Sequence, residues 1–87
     1  MWIHRGDIIN ADFGVHPDSS IQAGIRPAIV ISNNKANRHS TVLTVVPLSS
    51  KVEKKTYLPT HVFIHMCEME GLTQNSIALA EQLTSIE

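Results

Sequence analysis

Two β-branched runs, Pro27 to Ser32 (Pro-Ala-Ile-Val-Ile-Ser) and Thr41 to Pro47 (Thr-Val-Leu-Thr-Val-Val-Pro), dominate a chain of 87 residues. Side chains branched at Cβ are stiff at χ1 and suit a pleated, packed surface better than a helix. The first run is apolar enough to suit a strand buried on both faces. Residues 8–13 alternate instead: Ile9, Ala11 and Phe13 take one side, Asn10 and Asp12 the other, as in a half-buried strand. Thr60 to Met66, opening with Thr-His-Val-Phe-Ile, predicts a fourth strand.

The intervening segments read as turns. Gly14 to Gly24 is a long loop by its Gly, Pro, Asp and small polar residues, and long loops in small domains tend to be functional. Asn33, Asn34 and Lys35 read as a turn, Lys51 to Thr56 as a charged loop, and Glu68 to Asn75 as a turn around Gly71. Ser76 to Glu87 is ambiguous: Ala, Leu, Glu and Gln favour helix, with Ser76 as a possible N-cap, whereas Ile77, Leu79 and Glu81 alternate as in a strand. Short strands at regular spacing predict a mainly β fold, a small barrel or sandwich, with the barrel preferred.

Length limits the chain to one domain over residues 1–87. With 43% hydrophobic and 17% charged residues it has enough apolar side chains to collapse. No apolar stretch approaches the roughly 20 residues that span a bilayer, and His4, Arg5 and Asp7 interrupt any secretory leader. Cys67 is the only cysteine, so no internal disulfide forms and a reducing, cytoplasmic setting is expected. All seven Lys and Arg residues lie before residue 56, against four acids there, a balance of +3; the remainder carries four acids and no cation. That asymmetry permits a local site for a polyanion, although solvated surface charge is the plainer account.

Four ordered segments resemble the MazF/PemK-type toxin endoribonucleases, the mRNA interferases of type II toxin-antitoxin systems. They are Arg5-Gly6-Asp7-Ile8 with Ala11-Asp12-Phe13; Gln22-Ala23-Gly24-Ile25-Arg26-Pro27 running on to Asn33; Val45-Val46-Pro47-Leu48-Ser49-Ser50; and Leu58-Pro59-Thr60-His61-Val62 followed by Gly71-Leu72, Ser76-Ile77 and Ala80-Glu81-Gln82-Leu83. The resemblance covers nearly the whole chain. It implies an SH3-like barrel, a strand rather than a helix for Ser76 to Ile86, a homodimer, metal-independent cleavage of single-stranded RNA without a cofactor, and neutralisation by a cognate antitoxin. Three positions depart from the family pattern. Ile21 stands where the first loop often carries Glu, Ser49 replaces a strand-end Thr, and Thr84 replaces a frequent basic residue before the sequence stops at Glu87. The family's C-terminal helix is therefore expected to be absent or truncated, and activity to be below that of relatives with the loop carboxylate.

Cleavage by the neighbouring 2′-hydroxyl needs only assisted proton transfer and stabilisation of a pentavalent phosphorane. Arg26, whose planar guanidinium matches phosphate oxygens, is the first candidate for the scissile phosphate; the plain alternative is a surface Arg paired with Asp7 or Asp12. Ser49 is the second catalytic candidate, a hydroxyl at a strand end. Gln22, Arg5, Lys54 and His61 are candidate substrate contacts, with Lys51, Lys55, Tyr57 and Trp2 as further backbone or stacking groups. His61 and His65 lie about 13 Å apart along a strand, too far to share one metal ion, so no metal site is expected. The second functional reading is a weakened or inactive family member that only binds RNA or antitoxin. Gyrase poisoning, known on a related fold, fits poorly because the chain closes with Thr84-Ser85-Ile86-Glu87 rather than an aromatic end.

Overall fold

A computed structural model describes residues 3–15, 23–51 and 58–87. The alternating segment forms β1 (Ile8–Asp12), with Ala11 buried and Asn10 and Asp12 exposed. It pairs antiparallel with β2 (Ile25–Val30) from Ile8 opposite Ile29 to Asp12 opposite Ile25. The ladder continues beyond the strand ends, Phe13 N–H donating to Gly24 O (2.9 Å) and Gly24 N–H to Gly14 O (2.8 Å), which closes the neck of the long first loop.

The Asn33-Asn34-Lys35 stretch, expected as a turn, starts a short helix, α1 (Asn34–His39). Asn33 caps it, its side-chain oxygen accepting from Ala36 N–H at 2.8 Å, and Arg38 and His39 occupy the last turn, where cations suit the helix dipole. Asn37 fastens α1 to the sheet: its amide nitrogen donates to Ser32 O (3.0 Å), its oxygen accepts from Ser32 Oγ (2.5 Å), and Ser32 Oγ accepts from Thr44 N–H (3.2 Å).

The chain then enters β3 (Leu43–Ser49), buried at every position except half-buried Thr44. β4 (His61–Ile64) follows the second loop, and β5 (Ser76–Leu79) the turn around Gly71. The helical composition of Ala80-Glu81-Gln82 is expressed as a single 3-10 turn, after which β6 (Thr84–Ile86) resumes the extended course expected for this segment. The sheet runs β1-β2-β3-β5-β4, with β6 also on β3, and all pairs are antiparallel. The fold is thus mainly β, as expected, but among the described residues the sheet is an open path with β1 and β4 at its ends rather than a closed barrel.

β3 organises this path. One edge pairs with β2; the other pairs first with β6 (Leu43 to Val45) and then with β5 (Leu48 and Ser49). Val46 and Pro47 lie between these partners, where a residue lacking an N–H is tolerated. The 3-10 turn absorbs three residues, so Val45 opposes Thr84 rather than Glu81. Apolar side chains collect on both faces. Ala11, Ala28, Val30, Leu43 and Val45 form one cluster, with Phe13 and Ile86 against it; Val46, Leu48, Ile64 and Ala78 form the other, with Ile8, Ile29 and Leu72.

Candidate nucleic-acid site

β2 and β3 stop pairing after Ala28 opposite Pro47, although β1 follows β2 on to Ile25 and β5 follows β3 on to Ser49. Pro27 and Pro47, each without an N–H, bracket that point. The sheet splits there, and a groove of about 390 Å³ opens beside the split. Arg26 and Pro27 line it from β2, Leu48 and Ser50 from the end of β3, Asn10 from β1, and Gln74 from the turn before β5.

Arg26 is half-buried at the start of β2, and its Nε donates to Ala23 O at 3.0 Å. Among the described residues this is the side chain's only hydrogen bond, so a backbone carbonyl orients the guanidinium while its terminal nitrogens are left for a ligand. The pairing with Asp7 or Asp12 that would make Arg26 a plain surface residue is not formed. Asp7 accepts from His4 N–H and Asp12 from Gly14 N–H, each at 2.8 Å.

Ser49 ends β3 opposite Ile77 and is only 2% exposed, its Oγ accepting from Lys51 N–H at 3.2 Å. Continuing the β2–β3 register would set Ser49 across from Arg26, so the two flank the split. Exposed Ser50, however, is the hydroxyl that lines the groove. Arg5 lies elsewhere. Its Nε donates to Ile31 O (2.8 Å) and its N–H to Asn34 Oδ1 (2.7 Å), which ties the N-terminal segment to the far end of β2, about 17 Å along the strand from Arg26. Gln22 and Lys54 lie outside the described residues, as do Ile21, Lys55, Tyr57 and Trp2.

A second groove, about 360 Å³, adjoins Pro47 on the edge of β3 between β6 and β5, and is lined by Asp12, Phe13, Glu81, Gln82 and residues of β6. Glu81 is clasped from β4: Thr60 Oγ1 donates to one carboxylate oxygen (3.1 Å) and His61 Nε2 lies 2.7 Å from the other. Burial is the largest single influence on Glu81 and raises its pKa. The hydrogen bonds from His61, its own backbone and Thr60, together with the His61 charge, outweigh it and hold the carboxyl below its ordinary value. The His61 side chain is 6% exposed and lines neither groove, so it reaches the surface through Glu81. Glu81, Ser50, Asn10 and Gln74 were not singled out by sequence. For Glu81 the available signal was its place in the Ala80-Glu81-Gln82-Leu83 segment; for Asn10 it was an amide on a face begun by Ile8. Among the described residues no three His, Cys, Asp or Glu side chains are close enough to hold a metal ion. Nor is any helix there long and apolar enough to cross a membrane.

A small antiparallel sheet split at one end, with an arginine at the opening that pairs with no described carboxylate, defines a β protein suited to a phosphate-bearing ligand. Residues 4–87 match the family described as PemK-like, MazF-like toxin of type II toxin-antitoxin system, and the chain belongs to that family. It is 36% identical over 87 residues to Endoribonuclease EndoA of Bacillus subtilis, covering 100% of this chain and 72% of that protein. It is 32% identical over 85 residues to Endoribonuclease MazF of Staphylococcus saprophyticus, covering 98% of this chain and 68% of that one. The fold is similar to the crystal structure of MazF from Deinococcus radiodurans, with a TM-score of 0.74 at 21% identity over 99% of this chain and 71% of the other.

Proposed function

We propose that this protein is a metal-independent endoribonuclease toxin that cleaves single-stranded RNA, including mRNA, and is neutralised by a cognate antitoxin. Family membership supports the class of activity. The observation that carries the chemistry is Arg26, oriented by a backbone carbonyl, unpaired with any described carboxylate, and placed at the mouth of a groove.

In this reading the 2′-oxygen attacks the adjacent phosphorus while the P–O5′ bond breaks. The 2′-hydroxyl proton passes to solvent or a neighbouring base, and O5′ takes up a proton. The products carry a 2′,3′-cyclic phosphate and a 5′-hydroxyl. The Arg26 guanidinium stabilises charge on the non-bridging oxygens, and its high pKa argues for electrostatic rather than proton-transfer work. Ser50 offers the groove's hydroxyl to the same phosphate, with Ser49 buried behind it; Gln22 and Lys54 are outer substrate contacts, whereas Arg5, tied to Ile31, and His61, which lines neither groove, would meet only more distant parts of the RNA. A cytoplasmic location and a symmetric homodimer belong to the same reading. Sedimentation at micromolar concentration is expected to give a dimer, and a monomer there would count against that part.

The test is cleavage of a long unstructured RNA with EDTA present. Arg26→Ala is expected to slow cleavage by at least roughly 100-fold, the scale of losing one preorganised donor. Ser50→Ala should cost less, because a neutral hydroxyl gives a weaker hydrogen bond than a charged fork. Equal cleavage by wild type and Arg26→Ala would sink the assignment. Binding of RNA by both without cleavage by either would favour the reading as a binding-only member.

A further inference from the structure

We propose that the end of the molecule where α1 meets the N-terminal segment is a second phosphate-binding surface, which anchors the RNA backbone away from the cut through Arg5, Lys35 and Arg38. The inference rests on the reading of the protein as an RNA-cleaving enzyme and adds to it a site that holds RNA without reading its sequence.

Three observations carry it. The first is charge. The described residues include five Lys and Arg side chains, and three of them, Arg5, Lys35 and Arg38, are exposed at this end. No Asp or Glu occurs between Asp18 and Glu53, so α1 and the strands on either side of it carry no carboxylate of their own. The second is how Arg5 is held. Its Nε donates to Ile31 O (2.8 Å) and its N–H to Asn34 Oδ1 (2.7 Å), which fixes the side chain against the entry to α1. Its terminal nitrogens have no partner among the described residues, and they are the part of the fork that a phosphate takes. Arg26 is oriented in the same way, by Ala23 O at 3.0 Å, so a preorganised guanidinium stands at each end of β2.

The third is shape. A hollow of about 310 Å³ lies between the two segments, lined by Ile3, His4, Asn34 and Arg38 with no carboxylate among them. Asn34 and Arg38 are four residues apart and Lys35 and Arg38 three, so all three share one side of the helix. Asn37 is buried and bonded to Ser32, which stops α1 from rolling and keeps that side outward. Asp7 and Glu70 line a separate hollow that shares only Ile3 with this one, and Asp7 already accepts from His4 N–H at 2.8 Å. An acidic protein segment would also suit the charge. RNA is favoured because it is already held at Arg26, about 17 Å away along β2, and a strand of several nucleotides bridges that distance with a phosphate at every step.

The experiment measures binding of 2′-O-methyl oligoribonucleotides of about 5 and about 20 nucleotides over a range of KCl concentrations; their capped 2′-oxygens prevent cleavage. Wild type is expected to bind the longer one more tightly and with the steeper salt dependence. Lys35→Ala with Arg38→Ala should flatten the log–log salt slope for the longer oligomer by about 0.7 per cation removed, weaken its binding about tenfold, and leave the shorter one unaffected. Lys35→Ala alone changes one exposed side chain and should give half the change in slope, which separates the effect from any folding defect in the double variant. In cleavage of a long unstructured RNA both variants should raise KM and keep kcat. Equal slopes and affinities for wild type and both variants on the longer oligomer would overturn the anchoring surface while the endoribonuclease reading stands. Loss of polyglutamate binding in the variants, with RNA binding unchanged, would assign the surface to an acidic protein and overturn it as well. A wild type that cuts no RNA, with variants that still lose affinity for the longer oligomer, would overturn the endoribonuclease reading and keep the surface.

Discussion

A guanidinium held by one carbonyl and a carboxylate held by two side chains are the two best-defined polar groups near the grooves, and each has a measurable consequence. Among the described residues Arg26 pairs with no carboxylate, and its one hydrogen bond, from Nε to Ala23 O, leaves the terminal nitrogens for a ligand. Glu81 is the reverse case. Its folded carboxyl titrates below the ordinary value, so it contributes stability above about pH 4.5 and loses it as the pH falls through the lower folded value. Glu81→Gln removes that titration. Urea unfolding at about pH 5 and about pH 3 should therefore show wild type losing more stability on acidification than the variant; parallel losses would contradict the clasp. At this scale the sequence was partly legible. Arg26 could be chosen because the family resemblance marks it where the long loop enters a strand, but whether Ser49 or Ser50 faces the groove depends on how β3 ends after leaving β2, which no local pattern encodes. The His61–Glu81 contact joins residues 20 positions apart and was invisible for the same reason.

The strands were legible as elements because burial on one or both faces imposes its own pattern: alternation in β1, near-continuous apolar character in β3. α1 was missed because six residues are too few to display a helical period, and its cap, an Asn, is also a common turn residue. The cap is testable. Asn33→Ala leaves Ala36 N–H without its acceptor and should cost about 1 kcal/mol in chemical denaturation. A change of only a few tenths would mean that the Asn37–Ser32 bonds alone hold the helix. In Ser76 to Ile86 propensity and alternation conflicted, and the structure divides the segment between them: extended where it pairs with β3, turned only over Ala80–Gln82.

For the molecule as a whole, β3 is the shared wall between two apolar clusters, and Leu48 stands where the wall meets the groove. Leu48, 2% exposed, should cost about 2–5 kcal/mol when replaced by Ala, a large part of the roughly 5–15 kcal/mol that holds a typical domain. Thermal unfolding of Leu48→Ala should show a clearly lower midpoint, and an unchanged midpoint would mean that the second cluster contributes little. The three-residue slip at the 3-10 turn also limits how such a chain can change in length. Side chains alternate with a period of two, so sliding β6 by one residue along β3 would turn Ile86 out of the first cluster, and any residue added between Leu79 and Thr84 must be taken up within the turn for β6 to keep its register.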